Sequence, residues 1–153
     1  MADRAIGVWL SITALARSEG TAVSVRHAVT ACGEAVGAGA ALSMSTGGGS
    51  HEPVFATDSR SDELEDLQAT LGQGPSADVI GGDGPVLEGE LTGAGALARW
   101  PEFAPAATAR GVAAVFAVPV GVGAARLGVL SLYRDWPGSL SQDQFAPTLG
   151  TVA

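Results

Sequence analysis

Lysine is absent from the sequence, cysteine occurs once, and aromatic side chains make up only 5% of it. The basic residues are eight arginines: Arg4, Arg17, Arg26, Arg60, Arg99, Arg110, Arg126 and Arg134. They are scattered among 16 acidic residues, for a net charge of −8. No basic stripe forms, and an acidic chain repels phosphate backbones, so direct nucleic-acid binding by this segment is not expected. The lone Cys32 allows no intrachain disulfide, and nothing points to an oxidising compartment. On a helical apolar face it reads as an inert core thiol. His27 and His51 have no Cys or His at metal-ligand spacing, so no metal or other cofactor is expected.

Catalytic signatures are missing too. The glycine loops Gly47-Gly48-Gly49 and Gly81-Gly82-Asp83-Gly84 lack the Lys-Ser/Thr of a phosphate loop and read as turns. No Gly-x-Ser-x-Gly elbow and no nucleophile–base pair stands out. The chain is therefore not expected to be an enzyme. Its longest apolar run, residues 111–125, is shorter than the ~20 residues of a span and contains Pro119, so no membrane segment is expected. Residues 5–16 end in Ala14-Leu15-Ala16, which mimics a signal-peptidase site. Against that, Asp3 offsets Arg4, and Ser11 and Thr13 interrupt the apolar run. Ile6, Trp9, Leu10, Thr13 and Ala14 share one helical face, which favours an amphipathic first helix and a cytoplasmic protein.

What is present is a chain of 153 residues, 46% hydrophobic, enough for one domain with its own core. Residues 1–153 read as a single domain, with N-terminal helices over 1–37, a sheet core with pocket helices over 38–133, and the start of a C-terminal connecting helix over 139–153. The second N-terminal helix carries Val25, Ala28, Val29, Cys32 and Val36 at helical spacing, with Thr21 placed to cap it. Residues 40–44 and 53–57 read as strands joined by the turn chemistry of residues 46–50. An acidic helix follows, with Ser61 or Asp62 as its cap and Leu64, Leu67, Gln68 and Leu71 as its buried stripe. Its carboxylates at 62–66 read as a solvated first turn favoured by the helix dipole. It stops at Gly72-Gln73-Gly74-Pro75. Residues 76–98 read as irregular with a short strand at 86–88, and 99–110 as one short helix with Pro101 in its first turn. Residues 112–120 and 126–133 make an antiparallel hairpin, apolar on both faces and so central to the sheet.

This order of elements resembles a GAF domain. Leu64-Glu65-Asp66-Leu67-Gln68 followed by Leu71-Gly72-Gln73-Gly74-Pro75 is similar to the LDxLQ…LGEGP signature of actinobacterial GAF–ANTAR regulators. Arg99-Trp100-Pro101-Glu102-Phe103 resembles their RWPxF segment. The runs at 111–115 with Pro119, and at 127–133, resemble their last two core strands. Where that family often has cysteine after the proline, this chain has Ser76. The resemblance implies an α+β layered, GAF-like fold: a central antiparallel sheet of about five to six strands, helices on both sides, and N- and C-terminal helices packed together. It also implies an ANTAR module, which binds RNA hairpins and antiterminates transcription, following residue 153.

The resemblance places a ligand pocket between the acidic helix and the sheet. Gln68 there is either a polar group fixing a ligand or a buried amide satisfied by nearby backbone. Trp100 and Phe103 would cover the other side of the pocket or fill the core. Phe55, Leu67, Phe116 and Val118 complete the pocket candidates. The terminal helices, through Ile6, Trp9, Leu10, Phe145 and Leu149, are the expected surface of a homodimer. The expected function is a non-catalytic sensory domain that binds an unidentified small molecule, or dimerises, to control a C-terminal output domain in transcription regulation. A ligand-free dimerisation module is the alternative. A GAF-type methionine sulfoxide reductase is a weaker one, because that chemistry needs more than one cysteine.

Overall fold

The computed structural model describes residues 22–47, 50–82, 84–122 and 125–140. The first expected helix and the C-terminal connecting segment lie outside them, and with them Ile6, Trp9, Leu10, Phe145 and Leu149. Helix α1 (Ala22–Val36) leads into the hairpin β1 (Ala38–Gly47) and β2 (Ser50–Ala56). Helices α2 (Ser59–Leu71) and α3 (Pro75–Gly81) follow, then β3 (Val86–Glu88), α4 (Ala94–Arg99) and α5 (Phe103–Ala109). The closing hairpin is β4 (Ala114–Val122) and β5 (Ala125–Arg134).

The five strands form one antiparallel sheet in the order β2-β1-β5-β4-β3. The last strand is thus the middle one, with the apolar run of β5 shielded on both faces as its composition requires. Side chains alternate across the sheet. Ala40, Leu42, Phe116, Val118, Leu130 and Leu132 face α1, where Val29 and Val36 pack on them. On the opposite face Ala41, Val115 and Tyr133 meet Leu64 of α2, Leu91, and Trp100 and Phe103 from the α4–α5 region. A sheet between two helical layers results.

Three local expectations need correction. The acidic helix starts at Ser59, and its cap is Asp58, whose extended backbone lets Oδ1 accept from the Ser61 amide at 2.7 Å. Residues 76–98 are not irregular: Pro75 opens α3, since a first-turn position needs no amide donor, and α4 lies within the same stretch. The single helix expected over 99–110 is two, because Trp100, which precedes a proline, leaves the helical region (φ −130°, ψ 71°).

The β1–β5 pair is built on a close approach. A Cβ on Gly128 would stand 2.1 Å from the Ser43 carbonyl oxygen, backbone that cannot move without shifting β1. Gly128→Ala is expected to cost about 1–3 kcal/mol, as overpacking a fitted contact does. Urea unfolding will show a lower midpoint with an unchanged slope, and an unaltered midpoint would contradict the contact.

Candidate functional site

The middle strand brings Ser131 and Tyr133 to the α2 face, and α2 turns Leu64 and Gln68 toward them. Gln68 is 3% exposed, and both ends of its carboxamide are used. Nε2 donates to the Tyr133 hydroxyl at 2.7 Å, and Oε1 accepts from the Ser76 amide at 2.8 Å. The second bond hangs the start of α3 from α2. It needs a glycine just before the proline: Gly74 has φ 131°, and a Cβ there would lie 2.3 Å from Gln68 Oε1. The Ser76 and Ser131 hydroxyls bond to each other, and the Tyr133 hydroxyl also donates to the Glu65 carboxylate. A connected polar set thus links α2, α3 and β5.

Above this set lies a cleft of about 440 Å³. Its sheet wall is Ser43, His51 and Pro53; its helix walls are Glu65, Asp66, Gln68 and Ala69 from α2, and Ser76, Ala77 and Ile80 from α3. His51 Nδ1 is buried with no hydrogen-bond partner among the described residues. Of the carboxylates at 62–66, Asp62, Glu63 and Asp66 are exposed as a solvated turn would be, but Glu65 is turned inward. Burial pushes its carboxyl above the usual range, hydrogen bonds from Tyr133 and Ser131 hold it down in part, and Asp66 and Asp62 add to the rise. The Tyr133 phenol is pushed well up by burial and then by the adjacent Glu65 charge, so it stays a donor. Cys32 packs against the α1-side core, and burial pushes its thiol up to about 12.

The seven pocket candidates do not surround one space. Gln68 lines the cleft, and Leu67 packs on the core behind it. Trp100 and Phe103 are buried edge to face, 6.2 Å between centroids, in the cluster with Leu64 and Tyr133. The Trp100 indole donates to Asp78 at 3.0 Å, and the Arg99 guanidinium sits 4.2 Å from its ring centroid. Phe116 and Val118 lie across the sheet, facing α1. Phe55 is on that side too, 5.5 Å from the Arg26 guanidinium, and borders an open groove of about 640 Å³ along the edge strand β2. The cleft residues that sequence reasoning passed over are mostly small or polar: Ser43, His51, Glu65, Asp66, Ser76 and Ala77. A signal existed in Ser43 and Ser131, hydroxyls set inside otherwise apolar strands.

No known family profile matches the chain, and no curated relative matches it. Solved structures do. It is similar to the N-acylhomoserine-lactone-dependent LuxR-family transcription factor CepR2 of Burkholderia cenocepacia, at 18% identity and TM-score 0.65, covering 98% of this chain and 93% of that one. It is also similar to the GAF domain of a phosphoenolpyruvate-protein phosphotransferase from Coxiella burnetii, at 13% identity and TM-score 0.64, covering 99% and 89%. A third likeness is the GAF domain of A. aeolicus nlh2 in an inactive state, at 16% identity and TM-score 0.63, covering 97% and 90%. The chain has a GAF-like α+β fold. Among the described residues no helix is long and apolar enough to cross a membrane, and no group of His, Cys, Asp and Glu could hold a metal ion.

Glu65 sets a pH signature. Its carboxyl binds a proton more tightly folded than unfolded, so between those two pKa values the native state holds more protons and stability falls as pH rises. Glu65→Gln, which imitates the protonated form, is expected to be more stable than the wild type above that window, with the gap closing below it. Melting curves from acid to mildly alkaline pH check this; a variant less stable at every pH would refute it.

Proposed function

We propose that this domain is a non-catalytic sensor, in which a small molecule held in the cleft between α2, α3 and the β1–β2 hairpin governs a C-terminal output domain. The observation that carries the reading is the cleft itself: about 440 Å³, walled by α2, α3, β1 and β2 above a hydrogen-bonded set that ties α2 to α3 and to β5. That volume falls within the ~300–1,000 Å³ usual for ligand sites. Occupancy would act by population shift, favouring one placement of α3 against α2. The likeness to a lactone-dependent transcription factor supports an output in transcription, and the resemblance to GAF–ANTAR regulators supports the same. The domain works as a cytoplasmic homodimer through Ile6, Trp9, Leu10, Phe145 and Leu149, without contacting nucleic acid or membrane itself.

Native mass spectrometry of the purified protein tests ligand and assembly together. The expected spectrum is a dimer carrying a small molecule. Ala77→Trp, which fills the cleft, removes the added mass and leaves the dimer; Trp9→Asp dissociates the dimer. A dimer without added mass, unchanged by Ala77→Trp, would instead support a purely structural dimerisation module.

A further inference from the structure

The chemistry of the cleft walls narrows what could enter. Several donors at the cleft are engaged: the Gln68 amide on Tyr133 and Glu65, and one hydroxyl proton of the Ser76–Ser131 pair within that pair. Its acceptors are the Asp66 carboxylate, the Glu65 carboxylate, whose Oε2 already accepts from Tyr133 and Gln68, and His51 Nδ1, which has no partner among the described residues and accepts when the proton is on Nε2. Among the described residues no arginine lines the space, and the chain has no lysine. Pro53, Ala69, Ala77 and Ile80 make the rest of the wall apolar. A carboxylate or phosphate entering would face the Asp66 charge, and the Glu65 charge where that carboxyl is ionised, with no counter-charge among the described lining residues, a penalty that excludes wrong ligands.

We propose that the cleft selects a small organic amine, an ammonium group on an apolar body, with the ammonium against Glu65 and Asp66 and the body along Ala77 and Ile80. This rests on the reading of the cleft as the ligand site and adds the ligand's chemical class. An ammonium supplies three donors to a site whose charged groups are acceptors, and charge-assisted hydrogen bonds to a partly buried carboxylate are the strong ones. The same contact explains why a carboxylate is kept where burial disfavours its charge.

Three isosteric probes separate the possibilities: n-pentylamine, pentan-1-ol and pentanoate, titrated into the 15N-labelled protein at equal millimolar concentrations and followed by amide shifts. Pentylamine is expected to shift Gly72, Ala77 and Ile80 with a Kd about tenfold or more below that of pentanoate, a gap of ~1.4 kcal/mol or more. Glu65→Gln and Asp66→Asn each abolish that preference. Asp62→Asn, which removes the same charge from an exposed position on the same helix outside the cleft, leaves it intact and so controls for general attraction to an acidic protein. If pentanoate or pentan-1-ol shifts the cleft residues as strongly as the amine, the class is wrong and the cleft reading stands. If Asp62→Asn weakens the amine as much as Glu65→Gln does, the attraction is non-specific and the class is wrong. If none of the three shifts any cleft residue, both the class and the cleft reading fall.

Discussion

The carboxamide of Gln68 is the contact on which the arrangement around the cleft depends. It is buried, so each of its polar atoms must find a partner or cost about 1–3 kcal/mol. Its partners come from three places in the chain: its own helix, the first turn of α3, and the middle strand. One amide therefore fixes how far α3 stands from α2 and how both stand from the sheet. The demand reaches into the backbone as well. Gly74 adopts a conformation that other residues avoid, and its missing side chain is the space that Gln68 occupies.

Glu65, one turn earlier, shows the opposite economy. A carboxylate facing inward loses hydration, and the Tyr133 and Ser131 hydroxyls return only part of that loss. The neighbouring Asp62 and Asp66 raise the cost further. On grounds of stability alone a glutamine, whose oxygen can still accept from the buried Tyr133 hydroxyl, would serve better there. Sites that keep a destabilising group commonly do so for binding, where stability yields to function.

The strands and the acidic helix were legible in the sequence because their signals are local: apolar runs broken by glycine, and a leucine stripe ending at Gly72. What was hidden had a physical reason in each case. Gly72 ends one helix and Pro75 begins the next, a start that the Ser76 amide, held by Gln68, fixes in place. Trp100 interrupts a helical pattern because of the proline that follows it. The pocket candidates mixed two faces. Strand alternation puts Phe116 and Val118 with their neighbours Leu132 and Leu130, opposite to Ser131 and Tyr133, but which face carries the cleft depends on where four short helices pack. Glu65 was the hardest to see: its neighbours on the same turn are solvated, and only the reach of Tyr133 from a distant strand turns it inward.

Strand β5 joins the cleft to the other end of the domain. Ser131 and Tyr133 lie beneath the cleft, bonded to residues that line it, while the next residue, Arg134, turns to the α1 side and is buried there. Its guanidinium lies over Phe116 and beside Trp136, at 4.9 and 5.3 Å from their ring centroids, and donates to the carbonyls of Trp136 and Gly138. Gly138 in turn donates to the Gly89 carbonyl at 2.9 Å, which pins the segment beyond the strand to the loop after β3. The residue that bonds the cleft network and the residue that anchors the outgoing chain are therefore adjacent on one rigid, central strand. A change in the Tyr133–Gln68–Glu65 bonds that shifted or twisted β5 would reach Arg134 without crossing any loop. On the sensory reading, that short path is where an occupied cleft would be felt by whatever the chain leads into.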